Sequence, residues 1–396
     1  MYIILGAGIA GCCTALYLAK AGKKVTLIDQ NDLPMLGASL HNEGKLHLGY
    51  VYAADTSLKT TKRMAEGSLS FLNILSELLS VSPSQLVRSQ PFNYLSPNDS
   101  MLSASEISQY FEQTDKLLAH TGSDIRRSQP LSRTELNKQG YSTQSVQCGL
   151  TTDEFSVYPP QIGALLTAKV MANENITVIL KAAVKTVLRL PNGSYSIECE
   201  KNKAPLQLQA ENVINCLWQN RQKFDAAMGL HYNRPLLTRY KMAITFHGLP
   251  DKNLLSSTTF ITGPYGDVVN YGDGNYFISW YPACRIGLSK DGDHAQIQSA
   301  LKNLDKPKLI DNTIRGLAHF YPKVKELLKY KTKAQVGGGY ILSWGESDID
   351  DPGSELHKRF QIGFQSVDNW HSLDTGKYCS GPYFAKQLSE HLLGGH

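Results

Sequence analysis

The sequence predicts an α/β fold in which a parallel-sheet domain is interleaved with a β-rich α+β domain. Three observations predict it. About thirty residues at the start read as strand, glycine-punctuated turn, helix and second strand, the size of one βαβ crossover. Short apolar strands of the same kind return far along the chain, at 213–218 and 360–364. Between them, 219–357 is mostly β in pattern, so the motifs call for interleaved bodies rather than domains in series.

Each element has a local reason. Tyr2-Ile3-Ile4-Leu5 is a buried-strand run, and residues 12–20 read as a helix stopped at Gly22. Lys24-Val25-Thr26-Leu27-Ile28-Asp29 is a second strand that ends in an acid. A loop rich in Gly, His and Asn runs to Tyr52, followed by a long helical pattern over 56–79. From 80 to 149 the texture becomes Ser/Gln/Pro-rich with short helices, an excursion into the second domain. Tyr158-Pro159-Pro160 opens a helix through Met171. Strands at 176–180 and 184–189 follow, the second closed by the hairpin turn Pro191-Asn192-Gly193-Ser194. Strands are expected at 241–246, 267–271 and 276–281, a helical interlude at 294–328, and a last helix reaching Leu393. The predicted domains are 1–79, 150–218 and 358–396 on one side, and 80–149 with 219–357 on the other.

Composition narrows the function. A 42% hydrophobic and 19% charged chain of 396 residues is globular and large enough to need no disulfide or metal support. A net charge of +5 with no basic stripe argues against nucleic acid. The 7 cysteines are odd in number and contain no CxxC pair, which argues against a disulfide framework and a zinc ribbon. Ile9-Ala10-Gly11-Cys12 mimics a lipoprotein cleavage site, but no Lys or Arg precedes the apolar run. No stretch suits a transmembrane helix, and a reducing, cytoplasmic location is expected. Tyr, at 20 residues against 12 Phe and 4 Trp, suits an aromatic-lined, wet cleft.

Gly6-x-Gly8-x-x-Gly11 lies between the first strand and the first helix, the context a Rossmann-like dinucleotide fingerprint needs. Gly6 permits the tight turn, Gly8 lets a pyrophosphate approach the backbone, and Gly11 allows close helix–strand packing. With Ile9 and Ala10 these residues offer the phosphates a helix N-terminus. Asp29, eighteen residues past Gly11 and followed by Gln30, can accept from ribose hydroxyls. An acid there favours FAD or NAD over NADP, whose extra phosphate it repels. Spacing alone does not separate FAD from NAD.

The order of Gly6 to Asp29, the loop Ala38-Ser39-Leu40-His41-Asn42-Glu43-Gly44-Lys45-Leu46-His47-Leu48-Gly49, residues 213–218 and Asp374-Thr375-Gly376-Lys377-Tyr378 resembles the D-amino-acid oxidase superfamily of FAD-dependent oxidoreductases. The loop is most similar to the L-2-hydroxyglutarate oxidase branch. The resemblance implies a glutathione-reductase-type FAD domain joined to a β-rich substrate domain, with the flavin ring at their junction. It implies that Ser39, Leu40, His41, Asn42, Gly44 and Gly49 wrap the flavin and that the Val184 backbone holds the adenine. By the same resemblance Cys216 and Leu217 lie near the pyrophosphate, while Asp374, Gly376, Lys377 and Tyr378 face the pyrimidine edge of the flavin. Glu43 stands where a small Ser is common, and Leu217-Trp218 replaces the usual Thr-Gly. Some relatives link the flavin to a His or Cys. Noncovalent FAD is the expectation here.

Oxidation of a C–H beside an amine or hydroxyl requires an anchored substrate and a proton acceptor. His47 is the candidate base, Arg285 the candidate clamp for a substrate carboxylate, and Lys377 a candidate for substrate or flavin. Tyr50, Tyr52, Trp280 and Tyr340 are candidates to line the pocket. Gly337-Gly338-Gly339 suggests a close backbone approach or a flexible lid. Glu346, Asp348, Asp350 and Asp351 lack EF-hand spacing and read as a solvated turn, so no metal is expected. The expected reaction is hydride transfer to flavin N5 from a small carboxylate-bearing substrate, the electron acceptor being open. The alternatives are an FAD enzyme for a larger biosynthetic intermediate, or a non-catalytic dinucleotide-binding module.

Overall fold

Tyr2–Leu5 and Val25–Ile28 are apolar strands of four residues each, too uniformly hydrophobic for a sheet with one wet face. In the computed structural model, which describes residues 1–122, 124–290 and 292–394, they pair in parallel at the centre of a six-stranded sheet. Asn212–Asn215 and Trp370–Asp374 extend that sheet on one side and Ile176–Ile179 on the other, all parallel. Gly363–Val367 closes the edge as an antiparallel strand. The helix Ile9–Lys20 is buried on nearly every face, and it packs against the C-terminal helix Gly381–Leu392 and Pro159–Met171. Gly381 permits one contact: a Cβ there would lie 2.8 Å from Ile9.

A second sheet of nine strands is built from Asn93–Pro97, Gln129–Pro130 and Val146–Thr151 together with strands between 236 and 344. Ala182–Arg189, Tyr195–Lys201 and Ala204–Ala210 form a separate antiparallel sheet of three strands. We propose the division into 1–79, 150–218 and 358–396 against 80–149 and 219–357 on this sheet membership. Val146–Thr151, a strand of the second sheet, straddles the boundary at 150.

Several elements differ from the sequence reading. The strand expected at 213–218 ends at Asn215, and the chain turns into a 3-10 turn at Trp218–Asn220. The strand expected at 360–364 is displaced to Gly363–Val367, and Trp370–Asp374 is the parallel strand beside Asn212–Asn215. Asp368, at φ +48°, makes the tight turn between the two. The helical interlude at 294–328 divides into Ala295–Lys302, Lys306–Phe320 and a 3-10 stretch Pro322–Lys333, because Pro307 and Pro322 each open a new first turn. Asp305 caps the second helix by accepting from the Lys308 N–H at 3.0 Å.

The triple glycine lies inside the strand Gln335–Trp344, which pairs along Leu236–Phe246. A Cβ at Gly337 would lie 2.3 Å from His41 Nδ1, and one at Gly339 would lie 2.9 Å from Ala38 Cα. Of the two readings, close backbone approach is the one the packing explains. This strand edge presses directly on the loop that follows the second parallel strand.

Candidate functional site

The site lies where the parallel strands end. Gly6 follows Tyr2–Leu5, Asp29 follows Val25–Ile28, Cys216 follows Asn212–Asn215, and Thr375 follows Trp370–Asp374, so their loops meet at the carboxyl edge of the sheet. In open α/β sheets this edge is where ligands bind. A cleft runs from Asp29, Gln30, Ala182 and Val184 at one end to His47, Lys241 and Lys377 at the other.

The glycines earn their places by contact distance. Gly6 has φ +99°, and a Cβ on it would lie 2.5 Å from the Cys216 carbonyl oxygen. A Cβ on Gly11 would lie 1.9 Å from the Gly6 carbonyl oxygen, so helix and loop touch backbone to backbone. Gly8 and Ser39 face each other across the cleft wall, and Ser39 Oγ accepts from the Ile9 N–H at 3.0 Å. The N–H groups of Ala10 and Gly11 have no intrahelical acceptor, since the first helical bond runs from Cys12 to Gly8. Asp29 steadies the loop: one carboxylate oxygen accepts from the Ala7 N–H at 2.7 Å, the other from Asn31.

The loop after Ser39 folds on itself. Asn42 donates to the carbonyls of Ala38 and Ser39 and accepts from the Gly44 N–H at 2.7 Å. Ser39, His41 and Asn42 line the cleft. Leu40, Gly44 and Gly49, expected to wrap a cofactor, do not line it. Gly44 at φ +64° lies against the Val157 carbonyl, and Gly49 at φ +119° lies against Thr61, so both glycines serve turns behind the wall. Cys216, Leu217, Gly376, Lys377 and Tyr378 also line the cleft, whereas Asp374 sits behind it and accepts from the Gly376 N–H at 3.0 Å.

Trp218 sits at φ +49°, a conformation that disfavours a bulky residue. Its indole N–H donates to the Tyr340 carbonyl at 2.9 Å, which ties this loop to the second sheet. Tyr340 lines the cleft as expected of a pocket residue, and its hydroxyl accepts from Gln298 at 2.6 Å.

The other end of the cleft is rich in charge. Lys377 is partly buried and makes no ion pair among the described residues. Burial, reinforced by the neighbouring Arg359 charge, pulls its ammonium down to about 8. Arg359 is itself buried with no carboxylate partner among the described residues, and its guanidinium reaches the carbonyls of Leu342 and Gly376. Asp267 is held between Lys45 Nζ at 2.7 Å and Lys241 Nζ at 3.6 Å. Burial alone would raise this carboxyl, but the two lysines outweigh it and hold it below the usual range. Lys45 also lies over the Phe92 ring at 4.3 Å.

His47 lines the cleft with its ring between two acids: Nε2 is 4.0 Å from Glu43 and Nδ1 is 3.8 Å from Glu154. Burial first, then the charges of Lys377 and Lys45, holds its pKa well below the ordinary imidazole value. Glu154 is wholly buried, accepts from the Leu48 N–H at 2.6 Å and bonds the Tyr94 hydroxyl. Burial raises its carboxyl to about 7 against the opposing pull of Lys45. A carboxyl raised in the folded state favours folding below its unfolded pKa, and that contribution is lost as pH rises through about 7. Wild-type stability is therefore expected to fall between pH 5 and 8 by roughly 3 kcal/mol more than that of Glu154→Gln. Thermal unfolding of both proteins across that window checks it; parallel curves would contradict it.

Four expected residues lie elsewhere. Arg285 does not line the cleft; its guanidinium is bound to Asp348, which also pairs with Arg239 at 2.9 Å. Arg285 was expected as a carboxylate clamp, but it lies outside the cleft, with its guanidinium held on an acid that it shares with Arg239. Trp280 packs on Phe320 and on Gly316, where a Cβ would lie 2.2 Å from its indole nitrogen, so it belongs to the helix side of the second sheet. Tyr52 is buried behind His47, with ring centroids 5.6 Å apart, and does not reach the cleft wall. Tyr50 is likewise buried and donates to Asp115 at 2.6 Å. The sequence reading passed over Lys45, Lys241, Glu154 and Arg359. Lys45 alone carried a signal, standing two residues before His47 in the quoted loop.

The residues fit a dinucleotide whose pyrophosphate lies on the Ala10 and Gly11 N–H groups and whose ribose hydroxyls reach Asp29. Comparison with known proteins agrees. A family profile described as FAD dependent oxidoreductase matches residues 1–341. A D-amino acid dehydrogenase of Allorhizobium ampelinum is 51% identical over 47 residues, so the match spans 12% of this chain and only 11% of that relative. Solved structures are similar over the whole chain. L-proline dehydrogenase from P. horikoshii has a TM-score of 0.67 at 12% identity, covering 100% of this chain and 93% of that one. Glycine oxidase from Geobacillus kaustophilus has 0.64 at 14%, covering 100% and 95%. Iminodiacetate oxidase from Chelativorans has 0.67 at 15%, covering 100% and 96%. At these identities the likeness is one of fold. No described helix is long and apolar enough to cross a membrane.

Proposed function

The chain belongs to the FAD dependent oxidoreductase family, and on that premise we propose that it oxidises a carbon beside an amine or hydroxyl in a small carboxylate-bearing substrate. The observation that carries the reading is the convergence of His47, Lys241 and Lys377 on the end of the cleft away from Asp29. Bound noncovalently, FAD supplies a two-electron acceptor for hydride. The names of the D-amino acid, proline, glycine and iminodiacetate relatives support an amino-acid-like substrate.

The chain's own residues would divide the work. Gly6, Gly8, Ile9, Ala10 and Gly11 would hold the pyrophosphate, with Asp29 on the ribose and Gly376, Lys377 and Tyr378 on the flavin edge. Lys241 is the better-placed carboxylate anchor: it lines the cleft, and 3.6 Å from Asp267 it keeps donors to spare. His47 is the proposed proton acceptor. Burial keeps it neutral and so able to accept, but also a weak holder of the proton. Glu154, raised to about 7 and 3.8 Å behind it, is the stronger base and the next resting place. His47→Asn is expected to slow flavin reduction in single-turnover mixing by about 100-fold. An unchanged rate would remove His47 from the role.

A further inference from the structure

A strongly basic face lies away from the cofactor cleft. Residues 302–333 hold nine Lys and Arg against three Asp and Glu, a surplus of six, while the whole chain carries +5. The rest of the protein is therefore faintly acidic, and its positive charge is gathered on one segment. We propose that this segment docks on the surface of an anionic lipid bilayer.

Local structure sorts the segment into an inner and an outer side. In the helix Lys306–Phe320, Ile310, Thr313, Ile314 and Leu317 are buried, while Lys308, Asn312, Arg315 and His319 recur on the exposed face. In the 3-10 stretch Pro322–Lys333, residues three apart eclipse one another. Val324 and Leu327 form the buried ridge, Lys323, Glu326 and Lys329 a second, and Lys325 and Leu328 the third. Lys331 Nζ, 2.6 Å from Asp311, ties the stretch to the helix. The sheet beneath fixes where this face looks. Ala243 and Phe277 line the cleft, whereas their strand neighbours Ile244 and Ile278 pack with Ile310, Ile314 and Leu317. The basic face thus covers the side of the sheet opposite the cleft, and docking there leaves the cleft open.

The charge is both in surplus and accessible. Asp311 is taken by Lys331, Glu326 by Lys329 and Asp305 by the helix cap. Seven of the nine cations, among them Lys308, Arg315, Lys323 and Lys325, have no carboxylate within ion-pair distance among the described residues, and all seven are exposed. Each Lys or Arg held near an anionic leaflet strengthens binding roughly fivefold. Leu328 selects the partner. It is 46% exposed, with Lys325 and Lys329 beside it. A nucleic acid backbone gives an isolated leucine nothing to bury in. A bilayer takes it into the acyl boundary while the lysine stems reach back to the headgroup phosphates.

The test is co-sedimentation of the FAD-loaded protein with phosphatidylcholine vesicles, with and without phosphatidylglycerol, in about 0.1 M salt. Binding only to the vesicles that contain phosphatidylglycerol is expected, and about 1 M salt, with a screening length of ~3 Å, should release it. The triple variant Lys308→Glu, Lys323→Glu, Lys325→Glu should bind at least tenfold more weakly, and Leu328→Ser roughly threefold more weakly. Both should keep the wild-type flavin spectrum. Absence of wild-type binding to phosphatidylglycerol vesicles would overturn the proposal, as would equal partition of wild type and triple variant. Undiminished vesicle binding by Leu328→Ser, with release by duplex DNA added as competitor, would overturn it in favour of a nucleic acid.

Discussion

Gly11→Ala is expected to weaken FAD binding at least tenfold and to lower Tm by ~3–10 °C. The new methyl would lie 1.9 Å from the Gly6 carbonyl oxygen. That oxygen belongs to backbone, and the Gly6 N–H is itself fixed to the Ile28 carbonyl at 2.8 Å. Helix Ile9–Lys20 must therefore move away from the loop, taking with it the Ala10 and Gly11 N–H groups that would meet the pyrophosphate. Gly22→Ala is the matched control, because a Cβ at that exposed site meets nothing within 4 Å. Its φ of +76° costs the local turn some stability but leaves the cleft intact. Fluorescence titration with FAD, beside thermal unfolding, checks both variants. Wild-type FAD affinity in Gly11→Ala would contradict the placement of the phosphates.

Lys377→Met carries the second large effect. Reduced flavin gathers negative charge at the pyrimidine edge, and an ammonium nearby stabilises it. Removing that ammonium is expected to make the bound flavin harder to reduce and to weaken FAD binding about tenfold. The pH dependence has a defined sign. With its pKa lowered to about 8, the lysine is charged at pH 7 and largely neutral at pH 9, so its help fades as pH rises through that window. The wild-type potential should drop more steeply from pH 7 to 9 than that of Lys377→Met. Spectroelectrochemical titration of both proteins measures it; equal slopes would take Lys377 away from the flavin edge.

The legible part of the site is the part written in short spacings. Gly6, Gly8, Gly11 and Asp29 act within one βαβ unit, so the physics of a tight turn and a helix N-terminus is visible in thirty-odd consecutive residues. What joins residues far apart was not legible. Lys45 pairs with Asp267 across 222 positions, and Glu154 meets the Leu48 N–H across 106. Arg285 resembled a carboxylate clamp because its own acid, Asp348, lies 63 positions downstream in a segment that reads as a solvated turn. Glycine misled in a different way. The strand Gln335–Trp344 holds three consecutive glycines that local propensity disfavours; Gly337 and Gly339 are explained by close packing against His41 and Ala38, and Gly338 by packing against Tyr240 and Met242. Trp370–Asp374 went unseen because a tight turn at Asp368 places two strands where one was expected.

The most direct test of the proposed chemistry is an anaerobic panel of small amino and hydroxy acids added to the FAD-loaded protein, followed by the visible flavin absorbance. At least one carboxylate-bearing substrate should bleach the flavin, and Lys241→Met should raise the concentration needed. A protein that binds no FAD, or one whose flavin bleaches with dithionite but with no member of the panel, would contradict the account.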